Sequence, residues 1–192
     1  GLNKPIYIQY AKFMGNAFQG DLGRSYSSNR QVVQTILQKL PATALLSFSA
    51  LFISSVLGVL IGIISATKQY TFTDNASMLF ALFGISFPQF AFGLVMAWLF
   101  GHILKWFPIS GYINEGWQYL ILPMLTLALR PLAITARITR SSMLDVMSQD
   151  YVRTAKAKGL SQYKVIFKHT LRNALNPVVT TISASLAATL GG

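Results

Sequence analysis

The chain has 192 residues, of which 53% are hydrophobic and 11% charged, with a net charge of +11 and no cysteine. A soluble domain carries about 25% charged residues, so this balance points to a membrane protein, and the missing cysteine excludes disulfides and thiolate metal sites. The basic residues flank apolar runs and form no dense, aromatic-interleaved patch, which argues against nucleic acid as a partner.

Residues 1–40 mix polar and apolar side chains and are expected to form an extracytoplasmic segment. Pro5 to Phe18 places Ile6, Tyr10, Phe13 and Ala17 near one helical face, which suits a short amphipathic helix on a membrane surface. Gly20-Asp-Leu-Gly-Arg-Ser25 reads as a turn, with Asp21 able to accept from nearby backbone amides.

Leu40 to Thr67 carries no charge, and Asn75 to Leu104 carries none beyond the neutral imidazole of His102. Each run exceeds the roughly 20 residues that cross a bilayer core. The first span is expected over residues 41–67, with Pro41 in the opening helical turn. Gly58 and Gly62 form a small-xxx-small pair that suits close helix packing. A polar loop follows over 68–77, then a second span over 78–104. Pro88 lies inside that span in Ser86-Phe-Pro-Gln89 and is expected to kink it, through bundle geometry alone or as part of a pathway wall.

Residues 105–117 form a second loop, where Trp106, Trp117 and Tyr119 suit a membrane interface. A third span is expected over 118–136. Arg130 lies within it, and a charge at such depth normally faces a bundle interior or water. It reads as a pathway residue, or as a structural pair or a snorkelling side chain. A fourth apolar run begins near Pro177 and continues to Leu190-Gly-Gly192. The first residue is Gly1 with no signal-like segment before it, so the expectation is a fragment lacking a span at each end.

The loop over 137–176 carries eight Lys or Arg against Asp145 and Asp150. That excess places it in the cytoplasm, and span parity places 68–77 there too, with 1–40 and 105–117 outside. The first segment is itself basic, a mild departure from the charge rule. Within the basic loop, Gly159 suits a left-handed helix end and Ser161 an N-cap. Tyr163, Ile166, Phe167, Thr170, Leu171 and Ala174 then recur at helical spacing, with Lys164, Lys168 and Arg172 on another face. The pattern is helix, glycine turn, amphipathic helix, and it suits either a docking element or a solvated basic hairpin.

Arg140-Ser-Ser-Met-Leu-Asp-Val-Met-Ser-Gln-Asp-Tyr-Val-Arg-Thr-Ala-Lys-Ala-Lys-Gly-Leu-Ser161 resembles the "EAA" loop of permease subunits of binding-protein-dependent ABC importers, and within them the peptide/nickel branch. Leu171-Arg-Asn-Ala-Leu-Asn-Pro-Val178 and Gly20-Asp-Leu-Gly-Arg-Ser25 continue the likeness, which covers almost the whole chain. The general pattern is Glu-Ala-Ala, three residues, then Gly. Here Arg153 and Thr154 stand at the Glu and first Ala positions, and Arg172 stands at the pattern's later Pro. The resemblance implies an all-α, multi-span membrane bundle of the type I importer permease kind, with a cytoplasmic coupling-helix loop. It implies coupling through Arg153, Thr154, Ala155, Lys156, Ala157, Lys158, Gly159, Leu160 and Ser161 to an ATP-hydrolysing subunit. Ala155 and Ala157 would permit close approach in that subunit's cleft. Partners would be two ATP-binding subunits carrying ATP and magnesium, a second permease, an external substrate-binding protein and the bilayer of a bacterial or archaeal cytoplasmic membrane. The expected cargo is a di- or oligopeptide, with nickel or another small solute as the alternative.

The chain itself shows no Gly-x-x-x-x-Gly-Lys-[Ser/Thr] loop and no Gly-x-Ser-x-Gly nucleophile motif. His102 and His169 lie far apart, and the five acids are scattered. No catalytic residue, metal site or bound cofactor is expected, so the chain reads as no enzyme. Pro88, Gln89 and Arg130 are the candidates for a translocation pathway. Two other classes fit the composition: an ion-coupled secondary transporter, which would need midplane acids or unwound helices, and a non-transporting membrane scaffold.

Overall fold

The computed structural model describes residues 5–111 and 115–191. Residues 112–114 of the expected second loop therefore lie outside the described residues. The chain divides into two compact units, residues 1–44 and 45–192.

In the first unit, α1 (Ile6–Phe18) is entered from Pro5 and buries none of its side chains. The turn after it has the expected form. Gly20 and Gly23 take φ of +83° and +76°, and the Gly23 amide donates to Asp21 Oδ1 at 2.8 Å. An isolated antiparallel bridge between Arg24 and Gln31 closes the next loop. α2 (Val32–Thr67) starts there and runs on into the second unit. It begins well before Pro41, so the proline does not open the helix. Pro41 sits inside it and removes only one intrahelical donor.

The second unit is built around α5 (Gln118–Met147), which packs against α3 (Phe72–Ser86), α4 (Gln89–Met96) and α8 (Arg172–Gly191). α5 continues past residue 136, where the expected span ends, because nothing from Arg137 to Met147 breaks a helix. α2 presents a buried stripe of small residues, Ser47, Ala50, Ser54, Gly58, Gly62 and Ala66. The two glycines set its distance from α5. A Cβ on Gly58 would lie 2.8 Å from Thr135 Cβ, and one on Gly62 would lie 2.5 Å from Thr139 Cβ. The small-xxx-small pair is a packing device, as its spacing suggested.

The expected polar loop over 68–77 shrinks to residues 68–71, since α3 already begins at Phe72. The expected kink at Pro88 is a full break. α3 and the helical run Gln89–Ile103 are bent by 105°, with Phe87 and Pro88 both extended at the corner. Two causes combine there. Pro88 lacks an amide, and it forces Phe87 out of the helical region. Ala97–Ile103 continues α4 as π-helix.

After α5 comes the short α6 (Asp150–Ala157), then Gly159 at φ +74°. α7 (Gln162–Lys164), a π-helical stretch Val165–Leu171 and α8 follow as one unbroken run, Gln162–Gly191. Pro177 lies inside that run and marks no junction. The π geometry also shifts the buried face. Val165 to Thr170 is a step of five, and Ala174 and Val178 follow at α spacing, so of the expected stripe Thr170 and Ala174 are buried, Ile166 and Leu171 half-buried, and Tyr163 and Phe167 exposed.

Three helices are long and apolar enough to span a bilayer: Val32–Thr67, Gln118–Met147 and Gln162–Gly191. The bent pair makes a fourth if it is one span. α2, α5 and α8 meet where Met143, fully buried, touches Ile63, Ala66 and Ala174. No strand is present among the described residues.

Candidate functional site

Three features of the second unit carry chemistry, namely a helix–glycine–helix surface, a cavity along α5, and a buried ion pair at the base of α3.

The surface begins where α5 ends at Met147 and Ser148 caps it. α6 is tethered by its inner side. Val152, fully buried, and Ala155 pack against Val165, with Val146 alongside. Its outer side carries Arg153, Thr154, Lys156 and Ala157, all exposed, and exposure continues through Lys158, Gly159, Leu160 and Ser161. Eight of the nine residues tied to coupling by the resemblance therefore face outward. Ala155 faces the chain's own core instead, where its small size allows α6 to lie close to Val165.

Gly159 turns the chain between the helices in the left-handed conformation, with open space around its missing Cβ. Backbone conformation, not crowding, requires the glycine there. Ser161 occupies the N-cap position of α7, but its side chain makes no capping hydrogen bond. Arg153 lies 3.8 Å from Asp150, and both side chains are largely exposed. A contact of that kind leaves the basic face of α6 free to meet an acidic partner.

The cavity has a volume of about 590 Å³ and lies between the start of α4, the middle of α5 and α8. Gln89, Leu127, Arg130, Pro131, Thr181 and Ser185 are among its lining residues. Gln89 and Arg130, singled out separately in the sequence, thus share one wall. Pro88 does not line it, but it creates the corner from which Gln89 starts α4. Gln89 Nε2 donates to the Thr126 carbonyl at 3.4 Å, which ties α4 to α5. Gly93 allows the same approach one turn on, since a Cβ there would lie 3.1 Å from Thr126 Cγ2. Pro131 has no N–H, so the Leu127 carbonyl on the cavity wall lacks its intrahelical donor.

The third feature escaped the sequence reading. Asp74, taken there as a loop residue, lies in the first turn of α3 and is 1% exposed. Arg140 of α5 grips it with both arms, Nε to Oδ1 at 2.6 Å and Nη2 to Oδ2 at 2.7 Å. Ser65 of α2 donates its hydroxyl to Oδ1, and the Tyr70 amide donates to Oδ2 at 3.0 Å. One carboxylate therefore joins α2, α3 and α5. Thr71-Phe-Thr-Asp74 ahead of an apolar run has the capping-box spacing, which is the signal that could have moved Asp74 into a helix. Its partner could not be read, because Arg140 is remote in sequence. Among the described residues no group of three or more metal-ligating side chains is assembled.

Comparisons with known proteins fit this arrangement. Residues 58–192 match the family described as "Binding-protein-dependent transport system inner membrane component". The chain is 42% identical over 192 residues to the glutathione transport system permease protein GsiC of Escherichia coli (strain K12), covering 100% of this chain and 62% of that protein. It is 38% identical over 218 aligned residues to the di/tripeptide transport system permease protein DppB of Pseudomonas aeruginosa (strain UCBPP-PA14), covering 100% of this chain and 65% of that protein. The chain thus spans a little under two thirds of the length of these relatives.

Proposed function

Because the chain belongs to the family of binding-protein-dependent transport system inner membrane components, we propose that it is the permease subunit of an ATP-driven importer that carries di- or oligopeptides across the cytoplasmic membrane. The observation that carries this reading is the α6–Gly159–α7 surface. Its inner side is anchored by Val152 and Ala155, and its outer side is basic and exposed. A rigid lever of this form suits a soluble partner that pushes on it. In this reading, ATP hydrolysis in two partner subunits moves α6, and α6 moves α5 and α8, between which it is inserted. A second permease completes the pathway and an external binding protein delivers the cargo. The expected motion is a rigid-body rocking of helices.

Charge supports the orientation. The excess of Lys and Arg over acids in 137–176 favours the cytoplasmic side for that stretch. Read as one crossing, the bent pair α3–α4 puts that stretch and residues 68–71 in the cytoplasm. The ion-pair cluster around Asp74 then stands at the cytoplasmic ends of α2 and α3.

The peptide assignment draws on the named cargoes of the relatives, glutathione and di/tripeptides. A broken helix also suits a secondary transporter. Here the acid nearest the break in sequence, Asp74, is fully engaged by Arg140, Ser65 and Tyr70 rather than open to an ion path. The test is uptake of labelled dipeptide into vesicles holding the assembled importer and its binding protein. Uptake should require ATP, and uptake that persists without ATP or ATPase subunits would refute the reading.

A further inference from the structure

Arg130 has no counter-ion among the described residues, although it lies deep in a spanning helix. By helical rise it is about 18 Å from Gln118 at one end of α5. A guanidinium at such depth is retained when it faces water or meets an opposite charge. Its side chain is exposed and lines an open cavity between α4, α5 and α8. About 590 Å³ open against its side chain, within the roughly 300–1,000 Å³ common for small-molecule sites.

The rest of the wall supplies no negative charge. Thr181 and Thr189 spend their hydroxyl protons on the carbonyls of Pro177 and Ser185, at 2.8 and 2.9 Å. The Gln89 amide group is held to Thr126. What the wall offers a guest is one guanidinium fork on a mostly apolar surface, with the Ser185 hydroxyl, the Gln89 amide oxygen and the Leu127 carbonyl as its neutral polar groups. That chemistry selects a small molecule with a carboxylate at one end, because a guanidinium and a carboxylate pair through two parallel hydrogen bonds.

We propose that Arg130 is the cargo-docking residue of the membrane pathway, binding the free carboxylate of a short peptide in the cavity between α4, α5 and α8. The proposal rests on the importer reading, but it assigns a specific contact to a residue that reading leaves without a role. A single fixed cation also sets a requirement. The bound state must be weak enough to release cargo, which suits one ion pair without a surrounding cage.

The test uses the assembled importer in lipid nanodiscs, without ATP, so that it does not depend on transport. Phenylglyoxal modifies accessible arginines, and mass spectrometry reads the modification rate at Arg130. Ala-Ala and Ala-Ala amide, both at millimolar concentration, serve as competitors that differ only at the carboxylate. Ala-Ala should slow modification of Arg130 while the amide leaves it unchanged, with Arg153 as the exposed control that neither protects. Equal protection by both, or by neither, overturns the proposal. So does modification that stays slow without any competitor, which would mean that a lipid or an acid of the second permease already covers Arg130.

A second arm follows uptake by Arg130→Gln and Arg130→Lys. Loss of a charged hydrogen-bonding partner should lower Ala-Ala uptake by about tenfold or more in Arg130→Gln, with partial recovery in Arg130→Lys. Equal uptake by Arg130→Gln and the parent counts against the proposal. If Ala-Ala protects Arg130 but no peptide is imported, the carboxylate site stands and the importer reading fails. If peptides are imported and Arg130 is unprotected, only the docking role fails.

Discussion

Removing the Asp74 charge should unlock the base of the bundle, and Asp74→Asn is the cleanest perturbation because it keeps the shape. The carboxylate accepts from Arg140 twice, from Ser65 and from the Tyr70 amide. An asparagine would retain one acceptor oxygen. Its NH2 group would face donors at the other position and leave the guanidinium without a counter-charge. Breaking a buried pair by removing one partner costs about 3–5 kcal/mol. The Arg140 side chain keeps 22% of its surface, so water recovers part of that, and the lower end, about 3 kcal/mol, is expected. The assay is unfolding of the purified protein in detergent, run as a double-mutant cycle with Asp74→Asn, Arg140→Met and the double variant. A coupling energy of about 2 kcal/mol or more is expected for a shared buried network. The exposed Arg153–Asp150 contact at 3.8 Å is the internal control, and its coupling should vanish in the error. If the Asp74–Arg140 coupling is no larger than that of the control, the clamp does not hold the three helices together.

Three further outcomes follow from the geometry. Gly159→Val places a β-branched residue at φ +74°. It should abolish ATP-coupled uptake while membrane insertion remains normal, whereas Gly159→Asn, which tolerates this conformation, should keep most of it. Normal coupled transport in Gly159→Val would show that the turn is dispensable. Gly62→Ala brings a Cβ to 2.5 Å from Thr139 Cβ and 2.7 Å from the Ala136 carbonyl. α2 must move off α5, at about 1–3 kcal/mol of stability by thermal unfolding, and Thr139→Gly should not restore it, because the Ala136 carbonyl is backbone; unchanged stability in Gly62→Ala would show that the helices are not held at this distance. Val152→Ala empties part of the seat under α6. A loss of about 1–2 kcal/mol is expected, seen as faster amide exchange confined to Asp150–Ala157, and unchanged exchange there would mean that α6 is held by something else.

How far the sequence could be read depended on the range of the interaction. Apolar runs and charge excess are local sums, so the membrane class and the basic loop were legible residue by residue. Gly159 and the turn at Gly20–Gly23 were legible because backbone conformation is a near-neighbour property. Boundaries failed wherever a proline was taken as punctuation. Pro41 and Pro177 lie inside helices whose flanking turns supply enough hydrogen bonds to carry them through, while Pro88 breaks its helix outright. The three look alike in sequence, and packing decides between them. Arg130 was recognised as unusual, with pathway, pairing and snorkelling all open. Only the fold shows that it shares a cavity with Gln89.

By itself the sequence determined an all-helical membrane chain and the family whose loop motif it carries. Those properties follow from hydrophobic length, charge distribution and short-range turn chemistry. Tertiary structure decided which charges are structural and which are available. Asp74 meets Arg140 across 66 residues of sequence, and burial removes any alternative partner in water, so that pair locks. Arg130 meets a cavity rather than a carboxylate, so its charge stays open to a ligand. Both are arginines on the same helix, and the difference between them comes from what the neighbouring helices place opposite each one.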